Sequence, residues 1–164
     1  MNLAVEPITE KDVPVILDLM REFAEFEKLS DFLGVTEERL RAAMFGPGAF
    51  VEGFIALSGR EPAGYALFYP CFATFRGQRG IFLEDLYVSE EYRGKGIGED
   101  LLRQIAQVAS SRGFERIDFQ VLEWNSPAIR FYEKLGATRN EVERHFTFGD
   151  SAFLDLAKVS QNTD

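Results

Sequence analysis

At 164 residues, 46% hydrophobic and 27% charged, the chain has the length and composition of a single globular domain that can bury its own core. Its formal charge of −9 disfavours nucleic acid and anionic membranes and suits cationic ligands, although acidity also serves solubility alone. One cysteine, Cys71, excludes an intramolecular disulfide, and one histidine, His145, excludes a His-rich metal site, so no metal is expected.

The opening residues Met1 to Glu6 lack the basic flank and apolar run of a signal peptide. No stretch approaches the roughly 20 apolar residues that span a bilayer. The expected location is the cytoplasm. Residues 2–7 predict a short strand. Thr9-Glu10-Lys11-Asp12 resembles a capping box, and Val13, Ile16, Leu17, Met20 and Phe23 follow at helical spacing. Pro14 suits a first turn, which leaves either Thr9 or Asp12 as the cap. Thr36 predicts the cap of a second helix through Leu40 and Met44, stopped by Gly46-Pro47-Gly48. Strands are expected at 50–57, 63–72 and 80–88, joined by turns around Gly59 and Gly77.

The pattern then changes. A helix over 98–112 carries Leu101, Leu102, Ile105 and Val108 on one face, and 114–122 reads as a strand. A short helix over 127–135 stops at Gly136, and strands are expected at 145–148 and 152–159. A strand, helix, strand order implies that 80–88 pairs in parallel with 114–122. The class is therefore α+β, with a mixed, mostly antiparallel sheet flanked by helices. The polar tail, residues 160–164, is expected to fray.

Tyr92-Arg93-Gly94-Lys95-Gly96-Ile97-Gly98 joins a strand to the long helix. Its glycines permit positive φ and close approach of a ligand, and the free N–H groups of the following helix point back into the loop. Arg93 and Lys95 add positive charge, so the segment reads as a pyrophosphate cradle. A Walker loop is excluded because Glu99-Asp100 follows Gly98, and a dinucleotide fingerprint because Glu99 stands where the third glycine is needed. Judged on these residues alone, a connector without a ligand stays open.

Arg93-Gly94-Lys95-Gly96-Ile97-Gly98 resembles the acetyl-CoA loop of the GNAT superfamily of N-acyltransferases. The preceding Phe82-Leu83-Glu84-Asp85-Leu86-Tyr87-Val88 and the following Trp124-Asn125-Ser126-Pro127-Ala128-Ile129-Arg130-Phe131-Tyr132 are similar too, most of all to the diamine and thialysine acetyltransferase branch. The resemblance implies a twisted sheet splayed between strands 80–88 and 114–122, acetyl-CoA in that wedge, and direct transfer to an amine. It implies cofactor contacts at Leu86, Tyr87 and Val88 and along the loop from Arg93 to Gly98. A strand bulge would free a backbone N–H near Val88 for the thioester oxygen. It also implies a homodimer, through the carboxyl-terminal strands.

The same likeness assigns Glu84 as general base. Strand alternation places it on a face with Phe82, Leu86 and Val88, where an apolar setting favours a raised pKa. An edge glutamate paired with a cation is the plain alternative. Tyr132 is implied as the acid for the leaving sulfur, its proton present at neutral pH; a core tyrosine is the alternative. Asn125 either bonds the pantetheine arm or caps a helix. Cys71 reads as a buried, inert thiol, and His145 as a sheet residue.

Glu25-Phe26-Glu27 lies where the branch carries a substrate-contacting aromatic–Glu pair. Glu25, Glu27, Asp31, Glu84 and Asp85 are candidates to surround a small cationic amine, with Phe26, Phe32 and Trp124 as cation–π partners; a solvated helix end is equally open for Glu25, Glu27 and Asp31. The alternatives to a diamine-like acceptor are a peptide amino terminus, an amino acid or an antibiotic amine. A non-catalytic acyl-CoA sensor is the alternative of a different class.

Overall fold

Both faces of a five-stranded sheet are covered by helices, and this explains why its central strands lack polar alternation. The computed structural model describes residues 3–158. The chain divides between Gln120 and Val121 into two compact units.

In the first unit, β1 (Leu3–Pro7) is followed by α1 (Val13–Phe26) and α2 (Glu37–Phe45). Both the Thr9 N–H and its hydroxyl donate to Asp12 Oδ2 at 2.7 Å, so the two expected caps act together before Pro14 enters the first turn of α1. Thr36 Oγ1 caps α2 by accepting from Arg39 N at 3.2 Å. Strands β2 (Glu52–Ser58), β3 (Glu61–Ala73) and β4 (Gln78–Val88) run antiparallel, then α3 (Ile97–Ser111) crosses back to β5 (Arg116–Phe119), parallel to β4. The sheet order is β1-β2-β3-β4-β5.

Side chains of β2 and β3 divide residue by residue between two cores. Ile55, Tyr65 and Leu67 face α1 and α2, meeting Ile16, Leu17, Met20 and Leu40. Phe54, Ala66 and Phe68 face α3, meeting Ile97, Leu101 and Ile105. Each aliphatic side chain buried this way contributes about 1.5–3 kcal/mol.

The splay expected of the sheet is visible in its register. β4 pairs with β5 only from Gly80 to Leu83, opposite Arg116 to Phe119. From Glu84 onward β4 keeps β3 as its neighbour and, among the described residues, has no strand on its other side. Strand 114–122 is correspondingly shorter than expected.

The second unit holds α4 (Ser126–Lys134) and α5 (Asp150–Ala157). The expected strands at 145–148 and 152–159 are not formed among the described residues. Residues 145–148 are irregular and 150–157 are helical. A strand needs a partner for its backbone groups, whereas a helix satisfies its own, and Ala152, Leu154, Leu156 and Ala157 are strong helix formers. Val159 and the tail at 160–164 lie outside the described residues, as does Asn2. Among the described residues no helix is long and apolar enough to cross a membrane.

Candidate active site

The centre of the first unit's site is a bulge. Leu67 pairs with Asp85, but its neighbour Phe68 pairs with Leu83, so β4 carries one extra residue, Glu84. The bulge reverses the alternation of the strand. Before it, Ile81 and Leu83 face α3; after it, Leu86 and Val88 do, and Tyr87 turns to the α1–α2 side. The expected shared face of Glu84 with Leu86 and Val88 is therefore corrected. Glu84 instead accepts a hydrogen bond from Tyr69 Oη at 2.8 Å, and Tyr69 stacks on Phe82 with centroids 5.4 Å apart. Asp85 accepts from Tyr65 Oη at 3.0 Å on the same side. Adjacent strand residues ordinarily point to opposite faces; here both carboxylates line one cavity.

That cavity, of about 550 Å³, lies among α1, α2, the segment between them, β3 and β4. Its walls are mainly apolar, including Met20, Phe23, Leu33, Val35, Leu40 and Leu67, and its acids are Glu27, Glu84 and Asp85. Burial, and then the nearby Glu84, push the Asp85 carboxyl up to about 6 against the opposing Tyr65 hydrogen bond. Burial and then Asp85 also raise Glu27. Burial first, then the Glu84 bond, takes Tyr69 up to about 12, and Tyr65 is raised well above its ordinary value by burial and Asp85. Both phenols therefore stay protonated as donors near neutrality. The apolar setting expected for Glu84 is not found, because Glu84 is exposed.

Of the acids suggested for an amine, Glu27, Glu84 and Asp85 come together, while Glu25 and Asp31 are exposed and do not line the cavity. Phe26 does not line it either. Its ring lies under the Arg93 guanidinium, 4.4 Å from the centroid. Phe32, 82% exposed, stands at the rim. Sequence reasoning missed Tyr65 and Tyr69, which look like ordinary strand residues until the register shows what their hydroxyls meet.

The loop adopts the positive φ that its glycines permit. Gly94 and Gly96 have φ of 73° and 84°, and among the described residues no heavy atom beyond their chain neighbours lies within 4 Å of where a Cβ would stand at either. Gly96 caps α3, whose hydrogen-bond ladder begins with Asp100 N donating to Gly96 O, so the N–H groups of Ile97, Gly98 and Glu99 lie ahead of it. Arg93 Nε donates to Val88 O at 2.9 Å, and Lys95 Nζ donates to Glu91 O at 2.8 Å. Ser89 N donates to Ala63 O of β3. By antiparallel alternation Tyr87 directs its backbone groups the same way, and Leu86 and Val88 direct theirs to the side without a strand. Exposed donors on a strand edge beside a helix amino terminus suit a pantetheine arm and a pyrophosphate.

Elsewhere in this unit, Cys71 is only partly buried, with Sγ 3.9 Å from Asp118 Oδ2. Burial and then Asp118 raise its pKa, which keeps the thiol protonated.

Asn125 and Tyr132 belong to the second unit. Asn125 is buried and its Oδ1 accepts from Ala128 N at 3.3 Å, so it caps α4. Tyr132 lies on α4 with its ring edge-on to Phe131 at 5.1 Å. His145, expected in a sheet, is exposed beside Thr147, with Nε2 and Oγ1 3.0 Å apart.

The acetyltransferase (GNAT) family model matches residues 15–137. Thialysine N-epsilon-acetyltransferase of Bos taurus is 40% identical over 159 residues, covering 90% of this chain and 93% of its own. Its counterpart in Caenorhabditis elegans is 34% identical, covering 99% and 98%. L-ornithine N5-acetyltransferase of Arabidopsis thaliana is 28% identical, covering 79% and 76%. Among solved structures, an integron cassette protein of V. cholerae has a TM-score of 0.78 at 23% identity, covering 97% of this chain and 99% of its own, a likeness of fold.

Proposed function

Because the chain belongs to the GNAT family and is an N-acetyltransferase, we propose that it transfers acetyl directly from acetyl-CoA to the primary amine of a small cationic acceptor, a diamine or a thialysine-like amino acid. The observation that carries this reading is the cavity where Glu27, Glu84 and Asp85 converge between apolar walls. A desolvated ammonium needs an anionic partner, and an acceptor with two charges needs more than one. The relatives named for thialysine and ornithine support the same acceptor class.

The residues present fit the cofactor. The Gly94–Gly98 backbone and the amino terminus of α3 would hold the pyrophosphate, and the open edge at Leu86 and Val88 the pantetheine arm. When bound, acetyl-CoA supplies an acyl group activated as a thioester. Glu84 would take the proton from the acceptor nitrogen, directly or through water, while Asp85 and Glu27 hold the remaining charge. The Val88 N–H would stabilise charge on the acyl oxygen. Tyr132 Oη would deliver a proton to the departing sulfur, and Asn125 would add a pantetheine contact to its capping role. We also place the protein in a homodimer, a reading supported by the exposed apolar side chains of Phe146, Phe148, Phe153 and Leu156. Light scattering at a monomer mass would overturn that part.

The test is acetyl-CoA-dependent thiol release with putrescine, spermidine, thialysine, ornithine, lysine and short peptides as acceptors. Preferential turnover of a small diamine or lysine analogue, lost mainly from kcat in Glu84→Gln and Tyr132→Phe, supports the reading. Preference for peptides overturns the acceptor class, and full activity in both variants overturns the roles.

A further inference from the structure

Two phenols of β3 meet the two adjacent carboxylates of β4, one each. Tyr69 Oη donates to Glu84 Oε2 at 2.8 Å, and Tyr65 Oη donates to Asp85 Oδ2 at 3.0 Å. The tyrosines stand four residues apart, on one face of β3. Without the bulge at Glu84 only one of the two carboxylates would face them.

The two pairs differ in surroundings. Tyr65 is fully buried, with its ring 6.4 Å from that of Tyr87. Tyr69 is partly exposed, clamped between Phe82 at 5.4 Å and the edge of Phe50 at 5.9 Å. Glu84 is itself exposed. A free surface glutamate samples several rotamers, and a bond from a clamped phenol selects one of them. That bond engages Oε2 and leaves Oε1 for an ammonium proton. Asp85 accepts its phenol in a setting that disfavours its charge, which suits a group that ionises against a cation.

We propose that Tyr69 and Tyr65 are positioning residues that divide neighbouring carboxylates between two tasks: Tyr69 orients Glu84 for proton removal, and Tyr65 orients Asp85 to hold the acceptor's second charge. The inference rests on the acetyltransfer reading above and assigns work within that same site.

The experiment is steady-state kinetics of the purified full chain with its best amine, comparing wild type, Tyr69→Phe, Tyr65→Phe, Glu84→Gln and the Tyr69→Phe/Glu84→Gln double variant. Thermal melts verify folding. Tyr69→Phe is expected to lower kcat about tenfold with acceptor KM within about twofold, the scale of a hydrogen bond to a charged group. Tyr65→Phe is expected to do the reverse, raising acceptor KM about tenfold with kcat within about twofold. With Glu84 replaced, loss of the Tyr69 hydroxyl is expected to change kcat by less than about twofold, because it acts through Glu84. A structural defect alone would not produce that non-additivity. Undiminished loss from Tyr69→Phe in the double variant, or both tyrosine variants changing the same parameter, overturns the assignment while the reaction stands. Absence of turnover by wild type with every amine overturns the acetyltransfer reading and this inference together. If Tyr65→Phe does not fold, the Tyr69 cycle decides alone, since Tyr69 is the less buried of the two.

Discussion

The glycine loop and the acidic cavity are built on different principles. The loop is six consecutive residues, Arg93 to Gly98, and what it offers a ligand is backbone: two positive-φ glycines and the first N–H groups of α3. The cavity gathers residues from α1, α2, β3 and β4 and offers side chains. The loop's geometry is set by its own short sequence at the start of α3. The cavity depends on one inserted residue, because without the bulge at Glu84 the two carboxylates would face opposite cores. A site made of backbone is local, and a site made of side chains depends on strand register.

If that division is right, variants should separate by substrate. The largest effect is expected from Glu84→Gln, which keeps the shape and removes the proposed base. kcat is expected to fall about 100- to 1000-fold, with calorimetric affinity for CoA unchanged. An equal loss of CoA affinity would break the comparison by tying the bulge to the cofactor. Gly96→Val is the converse. No protein atom blocks a Cβ there, so its cost comes from a φ of 84° in a β-branched residue and from methyls placed in the cradle. The expected result is a rise in acetyl-CoA KM of about tenfold or more, with acceptor KM within about twofold.

The same division sets what could be read from the sequence. The loop, the α3 face of Leu101 and Ile105, and the parallel pairing of 80–88 with the strand after α3 were all legible, since each is contiguous or periodic. Glu27, Glu84 and Asp85 were legible as candidates to surround an amine, but Glu25 and Asp31, named with them, do not line the cavity. Strand alternation, applied without the bulge, put Glu84 on the wrong face relative to Leu86 and Val88; the resemblance implied a bulge in this strand, but nothing in Phe82-Leu83-Glu84-Asp85 fixes it at Glu84. Tyr65 and Tyr69 were hidden for the same reason. Phe26 was expected at the substrate because the resemblance implied an aromatic–Glu pair there, yet adjacent helix positions differ by about 100° and, of the two, Glu27 turns to the cavity. At the carboxyl end, apolar alternation suggested strands where helix propensity prevails in 150–157.

Asp85→Asn should sharpen the contrast through pH. The fold raises Asp85 from 3.8 to about 6. Between those values the native protein holds a proton that the unfolded chain has released, so stability falls as pH rises through this window and stays reduced above it. The amide carries no such penalty and can still accept from Tyr65. Asp85→Asn is therefore expected to melt higher than wild type at pH 8, with the difference shrinking toward pH 4. In the same variant, acceptor KM is expected to rise about tenfold, and its decrease as pH climbs through about 6 in wild type should disappear. A variant that melts lower at pH 8 would show that Asp85 is compensated in the free protein and that the cavity is not poised for a cation.

The smallest expected effect concerns Asn125, the one residue proposed to combine both principles. Its Oδ1 accepts from Ala128 N, so Asn125→Ala leaves the first turn of α4 without its cap and is expected to cost about 1 kcal/mol, read as a lower melting temperature. Asn125→Asp keeps the cap acceptor and restores that stability, but a carboxylate cannot donate as the amide Nδ2 does. If the amide also bonds the pantetheine arm, Asn125→Asp regains the melting temperature without regaining acetyl-CoA KM. If Asn125 only caps α4, both recover together and it leaves the cofactor set. The proposed cofactor contacts would then all lie in the first unit, in the loop from Arg93 to Gly98 and along the Leu86–Val88 edge of β4.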